Sequence, residues 1–529
     1  MLSTPRAFRG MVTAPHHLAA QAGLRVLREG GNAIEAMIAA AATIPVVYPH
    51  MNSIGGDGFW IVSQPGEAPI GIDACGGAGA AVTPAFYRGK GHTQIPARGP
   101  LAANTVAGTV SGWGAAHRIA QRWGGTLPLA RLLEDAIEYA KSGAPVTVSQ
   151  SRFTAEKQAE CADSPGFAET FLADGRAPAA GSRFKQAALG ETLQRIAQAG
   201  TDDFYRGDLA RRIAADLARA GSPVTADDLA RHQAKEVVPL SVQLKIGTVY
   251  NMTPPTQGLA SLLILALFER CGVKEADGFD YVHALVESTK LAFRVRDRHV
   301  TDPAYMTMTP QSLLDAVAID KLARDFDAKR AAPWPAPPQK GDTIWMGAID
   351  SKGRCASFIQ SIYWEFGSGV VLRDSGVLCQ NRGTSFSLDP NGPHPLTPGR
   401  KPFHTLNPAF ARLRDGRAIV YGTMGGDGQP QTQAAIFTRY ALFGQSPQEA
   451  VTAPRWLLGR TWGTAVTKLR LESRHPPELV KQLEAAGHDL EVLAPFTDLM
   501  GHAGLIARHQ DGLLEGATDP RGDGGVAAF

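Results

Sequence analysis

The stretch Lys340-Gly341-Asp342-Thr343-Ile344-Trp345-Met346-Gly347 divides the chain into two parts of different character. A segment rich in proline and alanine, residues 331–338, leads up to it, and apolar and polar residues alternate after Thr343 as far as a turn at 350–353. Proline clusters mark loops, whereas alternation indicates a strand with two different faces. The pattern therefore predicts a loop that delivers Thr343 to the first position of a strand. An Asp-Thr pair alone is common and predicts nothing more.

Several short motifs follow Thr343 in a fixed order: Ser361, Phe366-Gly367-Ser368-Gly369, Gln380-Asn381-Arg382, His404-Thr405 and Gly425-Gly426. In this order they resemble the small subunit of the gamma-glutamyltranspeptidase family of N-terminal-nucleophile (Ntn) hydrolases. Ahead of Thr343, the Gly30-Gly31-Asn32-Ala33 helix start and the glycine turn at 53–58 resemble the start of that family's large subunit. The resemblance extends over nearly the whole chain, as far as Arg521.

The resemblance implies a zymogen that cuts itself between Asp342 and Thr343. The fragments would be a large subunit, residues 1–342, and a small subunit, residues 343–529, that stay associated in one intertwined structural domain. The implied fold class is α+β, with two central sheets between helical layers in a four-layer αββα sandwich. Strand alternation alone does not predict that architecture.

The chemistry of a terminal threonine explains why such a cut is useful. A threonine hydroxyl is a weak nucleophile that needs an adjacent base, and a freed α-amine on the same residue supplies one. The ordinary pKa of an α-amine is about 7.7 to 8.0, so near neutral pH it can accept a proton and return it to a leaving amine. Thr343 would then provide both the nucleophile and the base.

The resemblance also implies roles for other catalytic residues. Ser361 is expected on the strand that pairs with the Thr343 strand, as a hydroxyl that hydrogen-bonds the nucleophile; without the resemblance, a plain polar strand residue is an equal alternative. Gly425 and Gly426 resemble the oxyanion hole, where backbone N–H groups can be worth about 3 to 4 kcal/mol of barrier each.

The expected substrate site departs from the transpeptidase pattern. The stretch Asp73-Ala74-Cys75-Gly76-Gly77 lacks the arginine that grips the α-carboxylate in transpeptidases, and Thr384-Ser385 replaces the acidic pair that holds the α-ammonium. Arg382 stands instead where the family has a glutamine. A guanidinium can hold a carboxylate with two parallel hydrogen bonds. We therefore expect an amide substrate with a carboxylate and no ammonium.

Three further substitutions predict a short substrate. His404 and Thr405 occupy the place of two serines in the family, and Tyr363 replaces a small polar residue. For His404, a supporting role without substrate contact is nearly as good an interpretation. The expected substrate-binding residues are thus Arg382, His404, Thr405, Tyr363 and Ser385.

These substitutions resemble the oxamate amidohydrolase branch of the family, whose members convert oxamate to oxalate and ammonia in purine degradation. A gamma-glutamyltranspeptidase or glutathione hydrolase, or another acylase of the family, is the alternative. A nucleotide-binding enzyme is disfavoured because no glycine stretch completes Gly-x-Gly-x-x-Gly and no phosphate loop occurs. An inert scaffold that keeps the fold without turnover is a third interpretation.

Composition narrows the classes further. With 529 residues, 44% hydrophobic and a net charge of +3, the chain is typical of a globular protein, and neither nucleic acid nor membrane is an expected partner. Five scattered cysteines form neither a disulfide framework nor a zinc spacing, and no apolar signal segment is evident at the start, so a cytoplasmic location is expected. No cofactor or metal is expected; the expected partner is a small-molecule substrate, and a homodimer of the processed heterodimer is left open.

Local patterns give further expectations. Asn32 and Glu35 have the spacing of a capping box before a buried helix, and residues 281–298 predict a long helix with His283 as a structural histidine. Residues 240–250 and 370–372 predict strands, and residues 431–443 predict a helix.

Overall fold

The computed structural model describes residues 3–334, 342–459 and 466–529. The last part of the predicted loop before the cleavage site, residues 335–341, lies outside the described residues. The described strands are, in chain order, β1 (Arg6–Ala7), β2 (Gly10–Ala14), β3 (Asp57–Ser63), β4 (Ile70–Ala74), β5 (Ala144–Pro145), β6 (Arg183–Phe184), β7 (Lys235–Val237), β8 (Leu240–Leu244), β9 (Gly247–Asn251), β10 (Asp342–Asp350), β11 (Cys355–Tyr363), β12 (Ala409–Leu413), β13 (Ala418–Thr423), β14 (Trp456–Leu458), β15 (Leu469–Glu472), β16 (Leu490–Leu493), β17 (Ala503–Arg508), β18 (Leu514–Thr518) and β19 (Gly525–Ala528).

The described α-helices are α1 (His17–Arg28), α2 (Ala33–Val47), α3 (Pro84–Gly89), α4 (Thr109–Arg122), α5 (Leu129–Leu132), α6 (Glu134–Ser142), α7 (Val148–Cys161), α8 (Phe167–Phe171), α9 (Ala187–Ala199), α10 (Asp203–Arg206), α11 (Asp208–Ala220), α12 (Ala226–Arg231), α13 (Gly258–Cys271), α14 (Phe279–His299), α15 (Ala316–Ala323), α16 (Gly428–Phe437), α17 (Pro447–Thr452) and α18 (Pro477–Ala485). Short 3₁₀ turns cover Pro303–Tyr305, Pro310–Leu314, Arg382–Ser385 and Asp498–Met500, and a π-helical turn, Thr438–Leu442, continues α16.

Two antiparallel sheets form the centre of the described structure. One has the order β1-β18-β17-β13-β12-β9-β8, and the other has the order β19-β2-β10-β11-β3-β4-β7. In the second sheet, β10 pairs with β2 on one side and with β11 on the other, and β11 pairs with β3. Strands from before and after the Asp342–Thr343 bond are therefore hydrogen-bonded neighbours in one sheet.

Helices cover the outer face of each sheet. The apolar residues of α1, α2 and α4 join those of β10 and β11 in one core, whereas α13, α14 and α16 pack with β12 and β13 in another. A third core of residues from both sheets, including Phe59, Trp345 and Phe410, lies between them. The result is the predicted α+β sandwich with the layer order αββα, and that prediction is confirmed.

The two sheets approach closely beside the start of β10. The ring of Trp345 packs on Gly422 of β13, where a Cβ atom would lie only 2.3 Å from the ring, and on Gly504 of β17. The indole Nε1 donates to Ser357 Oγ at 3.0 Å, so the ring has one fixed orientation. Only glycine leaves room for this contact, which ties β10 to the opposite sheet two residues after Thr343.

Most local predictions are confirmed, with differences at element ends. Asn32 and Glu35 form the predicted capping box at the start of α2. Residues 240–250 are not one strand but two, β8 and β9, joined by a tight turn. The strand prediction for residues 370–372 is wrong: Val371 makes only an isolated bridge to Leu378 among the described residues. The N–H of Val371 instead donates to the carbonyl of the distant Pro165, and that of Leu372 to the nearby Val377.

The structure also bears on the expected redox environment and on membrane association. All five cysteines are free thiols. Among the described residues, no helix combines enough length with enough apolarity to cross a membrane.

Candidate active site

Thr343 is the second residue of β10 and is fully buried. Asp342 lies opposite Tyr363 of β11, but Ile344 lies opposite Gln360, so the pairing shifts by one residue around Thr343. Such a bulge re-aims a side chain relative to a regular strand and is frequent beside functional sites. The predicted position of Thr343 at the very start of a strand is therefore close to what the structure shows.

Gln429 contacts the hydroxyl of Thr343 directly. Its Nε2 lies 3.3 Å from Thr343 Oγ1, and both side chains are fully buried. Gln429 occupies the first turn of α16, immediately after the Gly425-Gly426 turn. The sequence analysis missed this residue; its position three residues after the glycine pair was the available signal.

Gly425 and Gly426 form the turn between β13 and α16. Their φ angles are +121° and +51°, which glycine adopts without the strain that a side chain would add. The N–H groups of both glycines have no acceptor among the described residues. They lie at the N-terminal end of α16, where the helix dipole favours negative charge. This arrangement is suited to an oxyanion, as the sequence predicts.

A buried network fixes the glycine turn. Gln257 donates through Nε2 to the carbonyl oxygens of Thr405 and Gly426, both at 2.8 Å. Its Oε1 accepts from Arg296, which also pairs with Asp427 at 2.8 Å. One amide thus connects the Thr405 segment to the glycine turn, and the sequence analysis assigned no role to Gln257 or Arg296.

Ser361 lies on β11, the predicted neighbour of the Thr343 strand. Its Oγ accepts the N–H of Tyr363 at 2.8 Å, and Tyr363 has a φ of +84°. Positive φ is unfavourable for a residue with a side chain and tends to occur where function requires it. Ser361 therefore holds the bent end of β11, while its role toward the nucleophile stays a prediction.

Arg382 is a fully buried arginine beside this bend. Its guanidinium lies 3.8 Å from the centre of the Tyr363 ring, and Nη1 lies 3.4 Å from Thr405 Oγ1. Its Nε and Nη2 have no hydrogen-bond partner among the described residues, and no described carboxylate lies within ion-pair distance. Burial lowers the pKa of Arg382 to about 10, which still leaves it charged at neutral pH. The free donors are suited to a bound carboxylate.

His404 lies opposite an acid that the sequence analysis did not assign. Its Nε2 is 3.1 Å from Oδ2 of Asp57, and both side chains are fully buried. The contact lacks the alignment of a hydrogen bond. Burial raises the pKa of Asp57 to about 7 and holds that of His404 well below its usual range. The place of Asp57 within the glycine turn at 53–58 was the signal for it.

Ser385 is the last residue of the short turn Arg382–Ser385. Its Oγ has no partner among the described residues. Its predicted contact with substrate therefore stays a prediction. Contacts connect the other predicted residues to one another: Arg382 touches Tyr363 and Thr405, and Thr405 is linked through Gln257 to Gly426.

Within the described ranges, one grouping of side chains has the spacing of metal ligands: His283, Glu287 and His488. Lys290 already pairs with Glu287 at 2.7 Å, and His283 bonds His488 at 2.9 Å and the carbonyl of Asp327 at 2.8 Å. A cation would have to compete with the Lys290 ammonium. The contacts are those of a structural histidine, as the sequence predicts for His283.

The sequence model of the gamma-glutamyltranspeptidase family matches residues 19–529. The chain belongs to this family. It is accordingly an enzyme of the Ntn-hydrolase type that acts on amides, as the sequence predicts.

Similar proteins of the family align along the whole chain. An oxamate amidohydrolase proenzyme of Klebsiella pneumoniae is 55% identical over 530 residues, which cover 100% of both proteins. A glutathione hydrolase-like proenzyme, YwrD, of Bacillus subtilis is 42% identical over 522 residues, covering 98% of each. Among solved structures, a cephalosporin acylase from Bacillus halodurans superimposes with a TM-score of 0.92 at 34% identity, covering 100% of this chain and 97% of its own. The gamma-glutamyltranspeptidase family thus shares the entire fold described above.

Proposed function

We propose that this protein cuts itself before Thr343 and then hydrolyses oxamate to oxalate and ammonia. The observation that carries the substrate assignment is Arg382, a buried guanidinium with free donors and no carboxylate partner among the described residues. The 55% identity to an oxamate amidohydrolase proenzyme supports the same assignment.

Self-cutting uses the same hydroxyl as the later reaction. Thr343 Oγ1 attacks the carbonyl carbon of Asp342 and the C–N bond breaks. The nitrogen keeps its own hydrogen and takes up the proton of the hydroxyl, which makes it the new α-amine. Water then hydrolyses the resulting ester and leaves fragments 1–342 and 343–529. Hydrogen bonds between β10 and β2 and between β11 and β3 hold the two fragments together, because they join strands from both sides of the cut.

Hydrolysis of oxamate follows in two steps. Thr343 Oγ1 attacks the amide carbon while the α-amine of Thr343 accepts the hydroxyl proton. The N–H groups of Gly425 and Gly426 stabilise the oxyanion, and Gln429 orients the attacking hydroxyl. The α-amine returns the proton to the leaving nitrogen, which departs as ammonia. Water, activated by the same amine, then cleaves the oxalyl ester and restores Thr343.

Recognition of the substrate depends on charge. The carboxylate of oxamate binds the free donors of Arg382, with the Tyr363 ring behind the guanidinium and Thr405 beside it. Tyr363, His404 and Ser385 limit the length of the substrate. No acidic pair at Thr384-Ser385 remains to hold an ammonium group, which disfavours gamma-glutamyl substrates.

The cellular setting is part of the proposal. Five free cysteines support a reducing, cytoplasmic environment, and oxamate hydrolysis would place the enzyme in the degradation of purine-derived nitrogen compounds. A homodimer of the processed heterodimer is compatible with this assignment.

The test compares three substrates on purified, processed protein: oxamate, oxamide and glutathione. Oxamide has the same shape as oxamate but carries a neutral amide in place of the carboxylate. We expect ammonia from oxamate at least about 100-fold faster than from oxamide, because two charge-assisted hydrogen bonds are lost. Equal rates on oxamate and oxamide, or faster release of glutamate from glutathione, would contradict the oxamate assignment.

A further inference from the structure

Three fully buried charged or titratable side chains meet beside the proposed carboxylate site. Asp57 comes from the start of β3, Arg382 from a short turn, and His404 from the segment before β12. Asp57 Oδ1 accepts the N–H groups of Gly76 and Gly108, both at 3.1 Å. Its Oδ2 has no such partner and lies 3.1 Å from His404 Nε2. One oxygen of this carboxylate is thus structural, and the other faces a titratable ring.

Arg382 and Asp57 influence each other electrostatically. Burial lowers the pKa of Arg382, an effect that the phenol of Tyr363 and the carboxylate of Asp57 oppose. In turn, Arg382 lowers the pKa of Asp57 against the larger effect of burial. No described carboxylate lies within ion-pair distance of Arg382. The negative charge of Asp57 therefore acts on the guanidinium of Arg382 from a longer distance.

A second carboxylate changes this balance. When a substrate carboxylate binds Arg382, the buried cluster holds two negative groups and one positive group. An uncompensated charge in a water-excluded site is costly, and buried groups commonly change protonation to avoid it. Asp57 Oδ2 has no hydrogen-bond partner among the described residues and lies 3.1 Å from His404 Nε2, so these two atoms are the available places for an added proton.

We propose that Asp57 and His404 form a proton-accepting pair that takes up one proton when a carboxylate binds Arg382. This inference rests on the proposed function, because it assumes that Arg382 holds the substrate carboxylate. Asp57 and His404 act here as positioning residues: their protonation balances the charge around Arg382.

The proposal fixes the direction of the pH dependence. Asp57 has a pKa of about 7, so above pH 7 its carboxyl group is deprotonated before substrate binds. Binding of a carboxylate to Arg382 must then be accompanied by the uptake of one proton. Affinity should then fall by about tenfold for each pH unit above 7 and level off below it. The other titratable or charged groups that act on the pair are Tyr205, His232, Asp73, Cys75 and Lys401.

The test measures proton uptake on oxalate binding by titration calorimetry in two buffers of different ionisation enthalpy, at pH 6 and pH 8. The proteins are processed wild type, Asp57→Asn, His404→Asn and, as a matched control, Asp228→Asn, which replaces another buried aspartate that accepts a backbone N–H. Asparagine keeps an oxygen for Gly76 and Gly108, and thermal melting with intact mass confirms folding and processing of each variant. The α-amine of Thr343 can also gain a proton when an anion binds nearby. The quantity that tests the proposal is therefore the difference in proton uptake between wild type and Asp57→Asn.

We expect wild type and Asp228→Asn to take up about one more proton at pH 8 than Asp57→Asn does, and this difference to vanish at pH 6. His404→Asn should reduce uptake at pH 8. Equal uptake in wild type and Asp57→Asn at pH 8 would overturn the inference.

Ammonia release from oxamate, recorded on the same wild-type sample, separates the two proposals. Turnover without Asp57-dependent uptake overturns only the proton pair. Asp57-dependent uptake on oxalate binding without turnover overturns only the oxamate assignment. A wild type that neither binds oxalate nor releases ammonia overturns both.

Discussion

The side-chain amide of Gln429 lies 3.3 Å from the hydroxyl oxygen of Thr343, with both residues fully buried. Gln429 stands in the first turn of α16, and the two glycines with free N–H groups stand just before that helix. The helix start therefore sets the position of Thr343, the proposed nucleophile, relative to the proposed oxyanion donors. Any shift of this turn should alter the attack on the substrate carbonyl.

Replacement of Gln429 by leucine should slow both self-cutting and oxamate hydrolysis. A single neutral hydrogen bond contributes about 0.5 to 1.5 kcal/mol, which corresponds to a decrease in kcat of about 2- to 12-fold. KM should change little, because Gln429 contacts the nucleophile and not the carboxylate site. Time courses of cutting and steady-state kinetics measure this; Thr432→Val, on the same helix and with its hydroxyl 3.4 Å from the carbonyl oxygen of Met500, is the control. A change confined to KM would contradict the assignment.

Gln257 offers a test of the network that fixes the glycine turn. In Gln257→Glu, a carboxylate oxygen can still accept from Arg296, but it faces the carbonyl oxygens of Thr405 and Gly426 and cannot donate to them. A buried partner lost in this way costs about 1 to 3 kcal/mol. We expect a lower melting temperature and a kcat reduced by at least about tenfold. Unchanged kcat in a folded variant would exclude a role for this network in holding the oxyanion donors.

Arg382 should determine the preference for a carboxylate. In Arg382→Met, the kcat/KM for oxamate should fall by at least about 100-fold, because charge-assisted hydrogen bonds contribute about 1.5 to 3 kcal/mol each. The rate on oxamide, which has no carboxylate, should change far less. Arg382→Lys keeps the charge without the planar fork and should be intermediate. Arg373→Met, in the same part of the chain, serves as the control. Equal losses on oxamate and oxamide would show that Arg382 acts on folding alone.

Stability should depend on pH through Asp57. Its pKa is about 7 in the folded protein, above the ordinary value of 3.8, so the folded state binds more protons than the unfolded state between these values. Wild-type stability should therefore fall relative to Asp57→Asn as the pH rises from 5 to 8. The difference is at most about 4 kcal/mol, because a tenfold change in proton affinity is worth about 1.4 kcal/mol. Melting curves that stay parallel across this range would contradict the raised pKa.

Much of the fold could be predicted because the relevant signals are local. The capping box at Asn32 and Glu35 is confirmed at the start of α2, and the alternation after Thr343 marks β10. Element ends were harder to predict. The turn between Leu244 and Gly247 lies inside a sequence pattern that predicts a single strand, because apolar and polar residues alternate with the same period in β8 and β9.

Residues of the candidate site could be proposed from the sequence where a short motif carries the chemistry, and were missed where contacts are made at long range. Gly425 and Gly426 are recognisable because exposed N–H groups require residues without side chains. Gln257 bonds residues 148 and 169 positions away, and Asp57 meets His404 across the fold. No local pattern distinguishes such residues from polar residues that face solvent.

Intact mass of wild type beside Thr343→Ala, with ammonia release from oxamate measured on the same samples, tests the central claim most directly. The account predicts fragments 1–342 and 343–529 with ammonia for wild type, and a single inactive chain for Thr343→Ala. Thr343→Ser keeps a hydroxyl and an α-amine and should still be cut, more slowly or less completely. A Thr343→Ala protein that is cut, or an uncut wild type that releases ammonia, would contradict the claim that Thr343 is the nucleophile of both reactions.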